Sequence, residues 1–169
     1  MLRPLPAANF MLAREASGGV NNAVMMLEPG HPILRDMIAF TTSRPVMAPW
    51  WTGRRLWRHR FHKWLGRPKG PEDCQWGVFG PRALSHFVRE RGLLQSVWDH
   101  HTVYPVPVEM AHILTDPSAD LGHYITDRTI AVHLWHNAQK RSGVIAKGPP
   151  PGSYMAQAME IHGTASGVM

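Results

Sequence analysis

The chain has 169 residues, with 18 Lys and Arg against 12 Asp and Glu, and a formal net charge of +6 with its eleven histidines neutral. At 44% apolar residues it has a globular composition, and 15 Gly with 15 Pro argue against a coiled coil or a plain helical bundle. The length predicts one domain over residues 1–169, and a lone cysteine, Cys74, excludes an intramolecular disulfide and a multi-cysteine zinc module.

The basic excess is local. Arg44, Arg54, Arg55, Arg58, Arg60, Lys63, Arg67 and Lys69 fall in one window that contains no acid, and removing them leaves ten basic and twelve acidic residues, a net of −2. The chain therefore reads as mildly acidic with a basic, Trp-rich insert over residues 43–73. No apolar run approaches the roughly 18 residues of a membrane span, and Met1-Leu2-Arg3-Pro4-Leu5-Pro6 lacks the apolar stretch of a signal peptide. The expected location is cytoplasmic.

In chain order, Phe10-Met11-Leu12-Ala13 and Ala23-Val24-Met25-Met26-Leu27 are short apolar runs bounded by Gly and Pro, as in buried strands. After Glu28-Pro29-Gly30, Pro32 opens a segment in which Ile33, Leu34, Met37 and Ile38 keep helical spacing. A Pro-rich loop from Ser43 to Gly53 leads into Arg54–Leu65, where Trp57, Phe61, Trp64 and Leu65 share a face among arginines, the pattern of an amphipathic basic helix. Residues 66–73 are a breaker-rich loop. Beyond Gly80-Pro81, a helix is expected over Arg82–Arg91 with Gly92 as its stop. Ser96–Val108, broken by Pro105 and Pro107, reads as edge strand or extended chain. Thr129–Trp135 carries the strongest strand pattern, and Ser153 is a fit N-cap for a helix over Tyr154–Ile161. The alternation of strand-like and helix-like segments predicts an α/β fold.

The sequence holds no Walker A loop, no G-x-G-x-x-G, no G-x-S-x-G and no H-E-x-x-H. His133 lies amid Ile130-Ala131-Val132 and Leu134-Trp135, where desolvation favours the neutral imidazole; that form serves equally a hydrogen-bonded core histidine and a metal ligand. Asn21-Asn22 before Ala23 either caps a turn or offers carboxamides to a sugar or nucleotide, since each amide donates and accepts. Gly80-Pro81 at a helix start is either a turn or an anion-facing end.

Taken in order, Leu2-Arg3-Pro4-Leu5, Asn22-Ala23-Val24-Met25 with Pro29-Gly30-His31-Pro32, Gly80-Pro81-Arg82-Ala83-Leu84-Ser85, Tyr104-Pro105-Val106 and Ala131-Val132-His133-Leu134-Trp135 resemble the alpha-1,4-glycosyltransferase and mannosyltransferase-like group of retaining, Asp-x-Asp-bearing GT-A enzymes. The resemblance implies transfer of a hexosyl or N-acetylhexosaminyl group from a UDP-sugar to a hydroxyl of a glycan or glycolipid, with Mn²⁺ or Mg²⁺ neutralising the departing diphosphate. It implies donor-sugar contacts from Asn22, Ala23, Gly80, Pro81 and Trp135, and metal ligation by His133. It names no catalytic nucleophile or base.

No Asp-x-Asp occurs in the sequence, and the family would place it just before Leu2. The expectation is thus a partial GT-A fold lacking its N-terminal strands, the C-terminal part of a glycosyltransferase domain, with a non-enzymatic remnant or binding protein as the alternative. The basic insert lies outside the matching motifs. Arg54, Arg55, Arg58 and Lys63 with their aromatic neighbours suit an anionic membrane surface, as a peripheral protein on its inner face would use, or else the aromatics pack inward and the arginines are solvated. No nucleic-acid motif accompanies the stripe, and no specific nucleic acid is expected.

Overall fold

The computed structural model describes residues 9–75, 77–143 and 148–161. Helices and a small sheet are mixed, an α/β composition as expected. The chain divides into two compact units, Pro6–Asp99 and His100–Met169 with the first five residues, a subdivision that length alone does not foretell.

In the first unit, strands β1 (Phe10–Arg14) and β2 (Val20–Leu27) pair antiparallel. Among the described residues this is a two-stranded sheet, not the parallel sheet that a doubly wound domain would present. The register breaks in one place: Leu12 pairs with Met25, but Ala13 pairs with Asn21, so Asn22, Ala23 and Val24 bulge out of the ladder. Helix α1 (Pro32–Thr42) starts on His31, whose Nδ1 accepts the Ile33 amide at 3.2 Å, with Pro32 in the first turn where no amide is missed. It ends where Ser43 Oγ donates to the Phe40 carbonyl at 2.8 Å.

Helix α2 (Gly53–Trp64) matches the expected basic helix closely. The ends of the insert that carries it are tied together by Val46 N–H to the Lys69 carbonyl at 3.1 Å and by an exposed Arg44–Glu72 ion pair at 3.3 Å. A short 3₁₀ turn at Pro71–Asp73 and a π-helical turn at Val78–Arg82 precede α3 (Ala83–Glu90). Gly92 (φ +66°) ends α3: its amide bonds the Arg89 carbonyl and the Leu93 amide reaches Val88, the paired bonds of a Schellman motif that a left-handed glycine permits. Two neighbouring apolar clusters fill the unit. Leu12, Val20, Ile33, Leu84, Val88 and Val97 form one, and Phe40, Val46, Ala48, Trp51, Val78 and Ala83 the other, with Met37 packed against both.

Two expectations are corrected, the first only in part. Within Ser96–Val108 the backbone is extended at Val97 and Pro107, but His100–Val103 forms a single helical turn, α4, and 3₁₀ segments at Leu94–Ser96 and Val108–Thr115 adjoin the two ends. A lone parallel bridge from Ala13 to Trp98, within the first unit, is the strand-like element of that stretch. Thr129–Trp135 is not a strand either. The amides of Ile130 and Ala131 bond the Thr102 carbonyl at 2.9 and 3.2 Å, and that of His133 bonds Val103 at 3.1 Å, so the apolar run is held against the end of α4 instead of in a ladder. A β-branched pattern fits a half-buried surface, and here residues 130–134 are half-buried between buried Thr129 and Trp135, against a helical turn and not in a sheet. Helix α5 (His136–Arg141) follows, and the last described helix, Tyr154–Ile161, is capped as expected by buried Ser153, whose Oγ accepts the Ala156 amide at 3.3 Å. No helix of the described residues is long and apolar enough to cross a membrane.

Candidate functional site

The bulge in β2 is built by Asn21. Its Oδ1 accepts the Ala23 amide at 2.8 Å, an Asx turn that pulls the chain out of register, and its Nδ2 donates to Glu15. With Asn21 buried to hold the turn, Asn22 and Ala23 are left exposed at the crest. The two asparagines therefore divide the alternatives left open by the sequence: Asn21 caps a turn, and Asn22 is presented.

The carboxamide of Asn22 lies against Gly80. A Cβ on Gly80 would sit 3.3 Å from both Nδ2 and Oδ1 of Asn22, so the backbone approaches the amide as closely as a glycine allows. A second tie is made by Ser85, in the first turn of α3, whose Oγ accepts the Val20 amide at 2.9 Å. The Gly80–Ser85 motif thus binds β2 at both ends, through the glycine at the bulge and through the serine at the strand's start.

Between these pieces lies an open hollow of about 260 Å³ lined by Asn22, Gly80 and Pro81 together with Gln75, Gly77, Phe79 and Cys74. It is somewhat smaller than the roughly 300–1,000 Å³ of a drug-sized ligand site and suits a single ring of a larger molecule. Its chemistry is two carboxamides, from Asn22 and Gln75, set beside the ring of Phe79. Nothing in the sequence marks Gln75 and Phe79: they follow a breaker-rich loop, and only the fold brings them beside β2. Burial raises the pKa of the Cys74 thiol above its usual value, and its Sγ lies 3.5 Å from the Gly70 carbonyl, so it is a lining group and not an activated nucleophile.

His133 and Trp135 belong to the second unit, where they pack together with ring centroids 4.4 Å apart and Tyr104 beside both. Trp135 is buried, its Nε1 donating to the Val106 carbonyl at 2.8 Å, and it adopts a left-handed backbone (φ +50°) at the start of α5. That conformation costs a non-glycine residue about 1–2 kcal/mol, which the indole bond and the amides of Ala138 and Gln139 on its carbonyl offset. A buried ring with its N–H committed to the backbone makes Trp135 a core residue of its unit. His133 Nδ1 accepts the Trp135 amide at 3.2 Å, so metal ligation by this ring would have to use Nε2. Among the described residues, His133 belongs to no group of three potential ligating side chains. The residues described around His133 therefore do not fit a Mn²⁺ or Mg²⁺ site, which takes several oxygen ligands, and no step below is drawn through a metal.

On α2, Arg54, Arg58 and Lys63 are exposed as expected, but Arg55 is not a freely solvated cation. Its guanidinium stacks 4.5 Å over Trp51 and donates to the Gln75 amide oxygen at 3.2 Å. Comparison of the chain with protein-family models, with curated proteins and with solved structures finds no match.

Proposed function

We propose that the hollow beside the β2 bulge holds the sugar ring of a nucleotide-sugar donor, and that the chain serves glycosyl transfer of the retaining GT-A type, from a UDP-sugar to a hydroxyl of a glycan or glycolipid. The observation that supports this most is the meeting of Asn22 with Gly80 and Pro81. These residues belong to two separate motifs of the sequence, and they line one hollow.

The chemistry suits the ligand. A hexose presents hydroxyls that donate and accept on its edges and apolar C–H groups on its faces. The carboxamides of Asn22 and Gln75 answer the first, because each offers both a donor and an acceptor. The ring of Phe79 answers the second, and Gly80, lacking a side chain, keeps the hollow from being filled. Within this reading these residues bind and orient the sugar, and nothing in the hollow acts as nucleophile or base. Ala23, at the crest beside Asn22, does not line the hollow, and its amide is engaged by Asn21 Oδ1.

Saturation-transfer NMR with UDP-glucose, UDP-galactose and UDP-N-acetylglucosamine tests the reading. The expected result is transfer to sugar-ring protons for at least one donor. Asn22→Ala should weaken it about tenfold, the worth of one good hydrogen bond, and Gly80→Ala should lessen it by crowding the Asn22 amide. Because Asn22 is exposed, its variant should keep the native circular dichroism. Saturation of uridine protons alone, or equal signals from wild type and Asn22→Ala, would count against a sugar site here.

A further inference from the structure

Helix α2 has an outward face that none of the described residues of its own unit covers. Trp57, Phe61 and Trp64 are 71%, 55% and 78% exposed, and Leu65 follows them on the same side. Their spacing of four and three places the rings in one row along the helix. The opposite face is the buried one: His59 is sealed beneath α2 with its ring 4.2 Å from Trp51, and Leu56 packs on the cluster around Phe40. The helix is therefore seated by a histidine and displays its aromatics, the reverse of the usual amphipathic arrangement, in which large rings face the core.

The charges fit the same surface. Arg54 and Arg58 flank the aromatic row on one side and Arg60 on the other, and no acidic residue occurs from Arg44 to Lys69. Beside the helix, a groove of about 750 Å³ is lined by Arg54, Arg55 and Arg58 together with Trp57, Phe61 and Gln75. Three cations and two of the exposed rings thus share one groove. Exposed aromatic rings would be costly to leave in water, and a cationic rim would be idle against a neutral apolar partner. One surface satisfies both: phosphate headgroups against the arginines, with the acyl boundary receiving the rings.

We propose that α2 is an interfacial helix that lies flat on an anionic phospholipid bilayer, with Trp57, Phe61 and Trp64 inserted at the headgroup level and Arg54 and Arg58 paired with lipid phosphates. The helix needs no refolding to do this, since its buried face stays seated on the unit. The docking is independent of whether the β2 hollow binds a sugar.

Co-sedimentation of the full chain with phosphatidylcholine vesicles, with and without phosphatidylglycerol, tests it. The chain should pellet with the anionic vesicles and stay in solution with the neutral ones, and binding should weaken as salt rises. The double variant Arg54→Gln/Arg58→Gln should partition about thirtyfold less, the effect of two cations removed from an anionic surface. Trp57→Ala/Trp64→Ala should lose the fluorescence quenching that brominated lipids impose on the wild type. All four positions are exposed, so unchanged circular dichroism will show that the fold is kept. Equal binding to neutral and anionic vesicles, binding to neither, unaltered quenching in the tryptophan variant, or retention of RNA in place of vesicles would overturn the proposal.

Discussion

His59 shows how a single residue can be misjudged by its neighbours in sequence. It stands among arginines on a basic helix, which suggests a solvated position, yet it is the one buried residue of α2. Burial lowers its pKa first, and the cations of Arg58, Lys69 and Arg55 lower it further, while a hydrogen bond with the Val46 backbone acts the other way. The folded chain therefore prefers the neutral ring, whereas the unfolded chain titrates near the ordinary histidine pKa of 6.5. Stability from this group is complete above the unfolded pKa and is lost as pH falls from there through the folded value. Urea midpoints should fall between about pH 7.5 and about pH 5, and His59→Phe, which keeps a ring on Trp51, should flatten part of that slope. An identical slope in the variant would show that the ring is protonated equally in both states. At this scale the sequence does not separate Asn21 from Asn22. Both asparagines read as turn caps or as ligand amides, and only the register break shows that Asn21 takes the first role.

At the scale of elements, the helices and the first two strands were legible because local signals mark them: Pro32 in the first turn of α1, Gly92 at the end of α3, Ser153 before the last described helix, and apolar runs bounded by Gly and Pro for β1 and β2. The basic helix was legible in extent but not in orientation. Its 3.6-residue period separates rings from arginines, and the period is the same whichever face is turned to the core. Thr129–Trp135 failed for a related reason: an apolar, β-branched run fits a strand, but a partner strand is a non-local matter that the run itself cannot encode. The Gly80–Ser85 motif is the element on which the candidate site depends, because Ser85 fixes α3 to β2 through the Val20 amide. Ser85→Ala strands that amide at a buried residue and should lower unfolding stability by about 1–3 kcal/mol, read from the denaturant midpoint at unchanged m-value. A loss below about 0.5 kcal/mol, the range of ordinary surface substitutions, would mean the tether does little.

At the scale of the molecule, the net charge of +6 resolves into a locally basic helix with its rings outward on a chain otherwise near neutrality. The residues that a family resemblance would gather around one donor fall into two groups. Asn22, Ala23, Gly80 and Pro81 lie in the first compact unit, and His133 and Trp135 in the second, where Trp135 is engaged in that unit's own packing. The sugar reading consequently rests on the first group alone. The most direct measurement is protein-observed: titrating the ¹⁵N-labelled chain with UDP-sugars and following the side-chain amide resonances of Asn22 and Gln75 with the backbone amides of Gly77 and Gly80. The account predicts saturable shifts concentrated on these four, which fade when UDP alone replaces the sugar nucleotide. Shifts absent from this set, or unchanged by removal of the sugar, would contradict it.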